Sequence, residues 1–210
     1  MDGVLVDSEP MWHKLEQEYI PKIFGQEIFD QIGSLVGVGI SDVVERAQAL
    51  GSTVNAAEYA LAADEMARRA YIESPITENI DTLAKTLDTL GYHLGVVTQS
   101  PQRWIDLVVP RLSFRDKIGV VISLYEHPDL KRKPSPDGYA SASKQLNSLP
   151  ENSMVLEDSN MGIAAGKAAG CFVIGYRGNL IPGYQQTGAD AYANSMSAVV
   201  NIVEERLSHQ

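Results

Sequence analysis

The sequence is short of several things, and each shortage removes a class of function. It holds one cysteine, Cys171, so no internal disulfide can form. That residue sits in the apolar run CFVIGY, where a small buried side chain is the simpler reading than a reactive thiol. No apolar run approaches the length needed to cross a bilayer. The first residues lack the basic segment and apolar stretch of a secretion signal, and a cytoplasmic location is the expectation. Positive charge is scarce: the net charge is −10, which argues against nucleic acid or an acidic membrane surface as partner, since both need a basic face. The histidines His13, His93, His127 and His209 show neither metal-ligand spacing nor a partner pattern. There is no internal repeat and no low-complexity segment.

What is present is an ordinary globular content, 44% apolar over 210 residues, enough for one large domain or a core with a small insertion. From Pro10 to Ser74 the pattern is helical throughout. Ser8 and Pro10 suit the start of a helix over SEPMWHKLEQEYIPKIFG. A second runs from a Ser41 cap to a Gly51 stop, and Asn55 with Glu58 stands at capping-box spacing ahead of a third. After Ser74 the pattern alternates. Strand-like HLGVV, IGVVIS, SMVLE, CFVIGY and ADAYA are separated by helical segments, one of them opening at a Ser100 cap with Pro101 behind it. Strand–helix alternation predicts an α/β fold, a Rossmann-like doubly wound parallel sheet with helices on both faces. The alternating part after Ser74 would form this core, and residues 10–74 a small helical unit.

In such a sheet ligands sit beyond the carboxyl ends of the strands, so the residues there carry the argument. Glu157 and Asp158 end the strand SMVLE. Two adjacent carboxylates suit a hard cation such as Mg²⁺; a helix cap plus a solvated acid is the alternative. Thr98 follows HLGVV, where a hydroxyl and free backbone N–H groups could hold phosphate or simply cap the next helix. Lys133 lies in KRKPSPD, whose prolines hold the backbone extended and could aim one lysine inward. Lys131 and Arg132 read as surface residues. The segment GIAAGK is one residue short of a phosphate-binding loop and lacks the following Ser or Thr; Gly162 and Gly166 read instead as close helix–sheet packing. GVG at 37–39 is no stronger.

In chain order, DGVLVDSEP, GVVTQS, KRKPSPD and VLEDSNMGIAAGKAAG resemble the four motifs of the haloacid dehalogenase-like hydrolase superfamily. The resemblance covers nearly the whole chain and is closest to the β-phosphoglucomutase-like and sugar-phosphate phosphatase branch, where DSEP with a nearby tryptophan, here Trp12, is familiar. It implies an α/β core of residues 1–9 and 75–210 with residues 10–74 inserted as a helical cap, and a Mg²⁺-dependent phosphatase acting on small phosphorylated metabolites. Asp2 would be the general acid–base and, through its carbonyl, a metal ligand beside Glu157 and Asp158. Thr98 and Lys133 would neutralise the phosphoryl oxygens, and Gln99, Ser100 and Trp12 would contact substrate. The first motif of that family is Asp-x-Asp-Gly. Asp2 matches its second Asp, so the nucleophile and the central strand leading to it are expected just upstream of Met1. The segment SLVGVGISD, where a mutase of this branch would place basic residues for a second phosphate, has none. Arg46, Arg68 or Arg69 could substitute, which keeps mutase chemistry as the alternative, beside an inactive binding homologue.

Overall fold

The computed structural model describes residues 1–208; His209 and Gln210, the end of the expected core segment, lie outside them. Four helices come first: α1 (Glu9–Phe24), α2 (Gln26–Gln31), α3 (Ile40–Ala49) and α4 (Ala56–Glu73). The Asn55–Glu58 capping box is formed, with Asn55 Oδ1 accepting from the Ala57 and Glu58 N–H groups. The other two caps differ from the sequence reading. Ser8 makes no cap bond, because its hydroxyl donates to Asp2 instead. Helix α3 starts at Ile40, one residue ahead of Ser41, and this carries Ile40 into the core at 4% exposure. Along α4, Tyr59, Ala63, Met66, Ala67, Ala70 and Tyr71 form a buried stripe at helical spacing that packs with Leu15, Ile20 and Phe24 of α1.

The remainder alternates: α5 (Ile80–Thr89), β1 (Leu94–Thr98), α6 (Gln102–Val108), β2 (Ile118–Ser123), α7 (Asp137–Gln145), β3 (Met154–Glu157), α8 (Asn160–Ala168), β4 (Phe172–Tyr176), β5 (Ala191–Ala193) and α9 (Met196–Ser208). Ser100 does not cap α6; Pro101 takes that position and the Ser100 hydroxyl turns to Asp2. The helix stops at Val108 because Pro110 has no N–H to continue it, and a 3₁₀ turn follows over Val109–Arg111. Trp104 and Val108 of α6 join the apolar cluster of the four leading helices.

All strand pairings between these strands are parallel, but the strands form two sheets rather than one. The first holds β1 and β2; the second runs β3-β4-β5, with Val173, Ile174 and Tyr176 of β4 buried. Among the described residues β1 and β3 each pair on one side only. A largely apolar cavity of about 400 Å³ lies between them, lined by Val96 and Val97 of β1, Val155 and Leu156 of β3, and Met1, Val4 and Leu5. The leading segment is tied down beside it: the Asp7 N–H donates to Pro75 O at 3.0 Å and the Thr77 N–H to Leu5 O at 3.1 Å.

Strand β4 is the only strand of its sheet flanked on both sides, so truncating it tests the packing directly. Ile174→Ala, at a site 2% exposed, is expected to cost about 2–5 kcal/mol. The check is a lowered urea midpoint with an unchanged slope.

Candidate active site

The site starts at the end of β3. Ser159 caps α8, its Oγ accepting from the Gly162 N–H at 3.0 Å and donating to Glu157 Oε2 at 3.0 Å. Gly162 has no side chain because the Glu157 carboxylate lies there; an added Cβ would stand 2.0 Å from its Cδ. Glu157 Oε1 accepts from Lys133 Nζ and the Tyr139 hydroxyl. The ammonium of Lys133 also donates to Val97 O at 3.2 Å. Burial opposes the charge on Glu157, but Lys133 outweighs it and holds the carboxyl below the ordinary range. Gln186 fixes the same corner, its amide donating to Asp158 O at 2.6 Å and Tyr176 O at 2.8 Å.

Asp158 is the contrasting neighbour. It is 6% exposed and accepts no side-chain hydrogen bond among the described residues. Burial first, then the charge of Glu157, pushes its carboxyl upward. It rests against Gly3, whose φ of +60° and bare Cα let the backbone approach; a Cβ there would stand 2.2 Å from Asp158 Oδ2. The Asp2 side chain is fixed by three donors, Ser8 Oγ and Trp12 Nε1 on Oδ1 at 3.1 Å each and Ser100 Oγ on Oδ2 at 3.2 Å. After β1, Thr98 Oγ1 accepts from the Ser100 N–H at 3.1 Å, and Gln99 reaches across to donate to Gly37 O at 2.5 Å.

Asp2, Trp12, Thr98, Gln99, Ser100, Lys133, Glu157 and Asp158 thus line one cavity of about 100 Å³, between the strand ends and the leading helices. Some of the contacts expected of them are taken within the protein. The Trp12 indole N–H and the Ser100 hydroxyl serve Asp2, and both Glu157 oxygens are engaged by Lys133, Tyr139 and Ser159. Among the described residues no group of three or more His, Cys, Asp or Glu stands ready to hold a metal.

The sequence reading missed the cavity's other wall. Glu9 and Glu16 of α1, Tyr59 and Tyr71 of α4, Trp104 of α6 and the loop through Gly37 and Gly39 all line it. Glu9, Trp12 and Glu16 have i, i+3, i+7 spacing, one helical stripe, which is the signal that was available. Trp12 stacks near Trp104 and Tyr71, with ring centroids 5.4 and 5.8 Å away. Arg132, read as a surface residue, pairs with Asp42 at 3.2 Å and Glu45 at 3.1 Å on α3.

The sequence model of the haloacid dehalogenase-like hydrolase family matches residues 1–176. The chain belongs to that family. Two of the relatives of this haloacid dehalogenase-like hydrolase are phosphatases. One, the validoxylamine A 7'-phosphate phosphatase of Streptomyces hygroscopicus subsp. limoneus, is 33% identical over 119 residues, 55% of this chain and 54% of the relative. The other, hexitol phosphatase B of Escherichia coli (strain K12), is 26% identical over 174 residues, 80% of this chain and 77% of the relative. The chain therefore spans about half the length of the first and about three-quarters of the second. Among solved structures, CbbY from Rhodobacter sphaeroides in complex with phosphate shares the fold, with a TM-score of 0.74 at 22% identity, covering 95% of this chain and 93% of that one.

Burial lifts the Glu16 carboxyl from 4.5 to about 7. The unfolded chain releases this proton near its ordinary value, whereas the folded protein keeps it until about pH 7, so stability falls across that window and stays lower above it. Glu16→Gln removes the penalty. Unfolding free energies from denaturant titration are expected to match the parent below about pH 4 and to exceed it above pH 7 by about 1–3 kcal/mol.

Proposed function

We propose that this protein is a Mg²⁺-dependent phosphatase of small phosphorylated metabolites, sugar phosphates first among them, acting through an aspartyl-phosphate on a carboxylate joined directly ahead of Met1. One observation carries the reading: Met1 lines both the polar cavity and the apolar cavity between β1 and β3. A residue joined to its nitrogen would stand near Asp2 and Lys133, which line the first of these cavities with Met1. An extended apolar strand leading to that residue suits the space between the two unpaired strand edges. The phosphatase names of the relatives point the same way.

The charges of the cavity fit a divalent ion. Lys133 is already compensated by Glu157, and no other lysine, arginine or histidine lines the cavity to compensate Asp2 and Asp158. An anionic substrate entering there meets net repulsion unless a cation accompanies it. Mg²⁺ is commonly held by one or two carboxylates together with substrate phosphate and water. Asp158, buried and without a donor, is suited to hold it with the Asp2 carbonyl, and the ion would neutralise charge on the phosphoryl group. Glu157 then serves to hold Lys133 rather than the ion.

The remaining work falls to side chains. The upstream carboxylate attacks phosphorus, dividing the reaction into two easier steps. Asp2, oriented by Ser8, Trp12 and Ser100, protonates the leaving oxygen and then takes a proton from the attacking water. Lys133 and Thr98 lie where charge on the phosphoryl oxygens would develop. The mutase alternative lacks a cation for a second phosphate. Arg46 donates to Ser34 O, Arg69 pairs with Glu18 and Glu73, Arg68 is exposed, and none of the three lines the cavity.

The test compares the 210-residue chain with the same chain carrying an apolar strand that ends in Asp ahead of Met1. The extended protein is expected to release phosphate from sugar phosphates only with Mg²⁺, and the shorter one not to. In the extended protein Asp2→Asn is expected to lower turnover by about 10²–10⁴-fold, most for poor leaving groups, at unchanged Mg²⁺ affinity. Asp158→Ala should lose both rate and Mg²⁺ response. Robust turnover by the shorter chain would overturn the nucleophile assignment. Conversion of glucose 1-phosphate to glucose 6-phosphate faster than hydrolysis of either would replace phosphatase by mutase.

A further inference from the structure

We propose that Glu16 selects phosphate esters whose far end carries uncharged hydroxyl groups and rejects those whose far end carries a second anion. The inference rests on the phosphatase reading and concerns the opposite wall of the same cavity.

Lys133 is the only lysine or arginine among the lining residues, and Glu157 neutralises it. Substrate phosphate would therefore be held at the Lys133 and Asp158 end together with the divalent ion of the proposed function. Glu9 lines the cavity at 6% exposure and makes no side-chain hydrogen bond or ion pair among the described residues. Burial first, then the charges of Asp158 and Asp2, push its carboxyl well upward, which sets it at the phosphate end and leaves the far end to Glu16. Glu16 lies on the same face of α1 two turns further on, about 10 Å along the axis, and it too has no partner among the described residues. That separation is too wide for the pair to share one cation. Its charge reaches Tyr59, whose hydroxyl is pushed upward by burial and then by Glu16.

One further acceptor is open. Gln99 Oε1 is buried without a hydrogen-bond partner. The Gln99 amide is already committed to Gly37 O, so its free atom is an acceptor. The Glu16 carboxylate and this amide oxygen are complemented by donors. A polyol end supplies hydroxyl donors without charge. A carboxylate or a second phosphate would meet Glu16 with like charge and no paired cation, the arrangement that discriminates most strongly between partners.

The test uses two linear ligands that differ only at the end remote from phosphate: sorbitol 6-phosphate, with a hydroxymethyl group, and 6-phosphogluconate, with a carboxylate. Trp12 and Trp104, the two tryptophans of the chain, both line the cavity, so intrinsic fluorescence reports binding without turnover. Titrations are made with Mg²⁺ at about pH 8, above the value of Glu16, with inorganic phosphate as reference. Sorbitol 6-phosphate is expected to bind at least about tenfold tighter. Glu16→Gln should narrow the ratio to within about threefold by improving 6-phosphogluconate, and Glu16→Lys should reverse it, while inorganic phosphate binds the parent and both variants alike. Equal binding of the two esters by the parent, or a ratio unmoved by both variants while inorganic phosphate still binds, overturns this proposal and leaves the phosphatase reading standing. Failure of inorganic phosphate to bind the parent overturns both.

Discussion

The ion pair between Lys133 and Glu157 ties together parts that are otherwise separate. The two sheets share no strand pairing among the described residues. Lys133 reaches the Val97 carbonyl on β1 and the Glu157 carboxylate at the end of β3, and Tyr139 of α7 closes on the same carboxylate. A buried ion pair of this kind adds little net stability over a well-packed apolar substitute, but losing one partner strands the other at about 3–5 kcal/mol. Its role here is registration. It holds the ends of β1 and β3 at a fixed separation across the apolar cavity, and everything that lines the polar cavity hangs from those two ends.

Much of the surrounding chain follows from accommodating that carboxylate. Gly162 leaves it space, Ser159 caps both it and α8, and Gln186 takes the backbone carbonyls of the corner that carries it. Asp158 is then left facing Gly3 without a donor. Two adjacent acids with opposite surroundings have opposite preferences for charge, the same separation of roles that acid–base sites exploit. A change at Gly162 would act at a distance, by moving Glu157 and with it Lys133.

The sequence was most legible where a residue's role is local. The alternation of apolar runs located β1 to β5, and Asn55 with Glu58 located the start of α4, because period and cap chemistry act within a few residues. Ser8 and Ser100 do not cap their helices, for the complementary reason. A hydroxyl that can cap a helix can equally well hold a carboxylate, and Ser8 and Ser100 were claimed by Asp2, as much as 98 positions away in sequence. The division into two sheets was not legible either, since strand patterns do not specify which edges meet. On the site, residue type and strand-end position brought out Thr98, Glu157 and Asp158, the prolines around it brought out Lys133, and Asp2 came only from the family resemblance. Glu9 and Glu16 looked like ordinary helix-surface acids, and only the packing of α1 over the strand ends turns them toward a cavity.

The contacts across that cavity are of two strengths, and the difference suits an enclosure that must open. At about 100 Å³ the cavity is well below the ~300–1,000 Å³ of a pocket that engulfs a small ligand, so a phosphate ester with a long far end requires the leading helices to move. The ion pairs that join them to the α/β part, Arg132 with Asp42 and Glu45, and Arg103 with Asp64, are solvent-accessible, each worth about 0–1 kcal/mol and weakened by salt. The apolar contact is firmer: Trp104 of α6 stacks with Trp12 and Tyr71 while its indole donates to Asp64 at 2.7 Å. The weak contacts of Arg132 on α3, set against an aromatic wedge that Asp64 shares with Arg103, favour rotation about the wedge over wholesale separation. Because Trp12 also holds Asp2, such a rotation would disturb the proposed acid–base group each time the helices lift, and restore it only when they close.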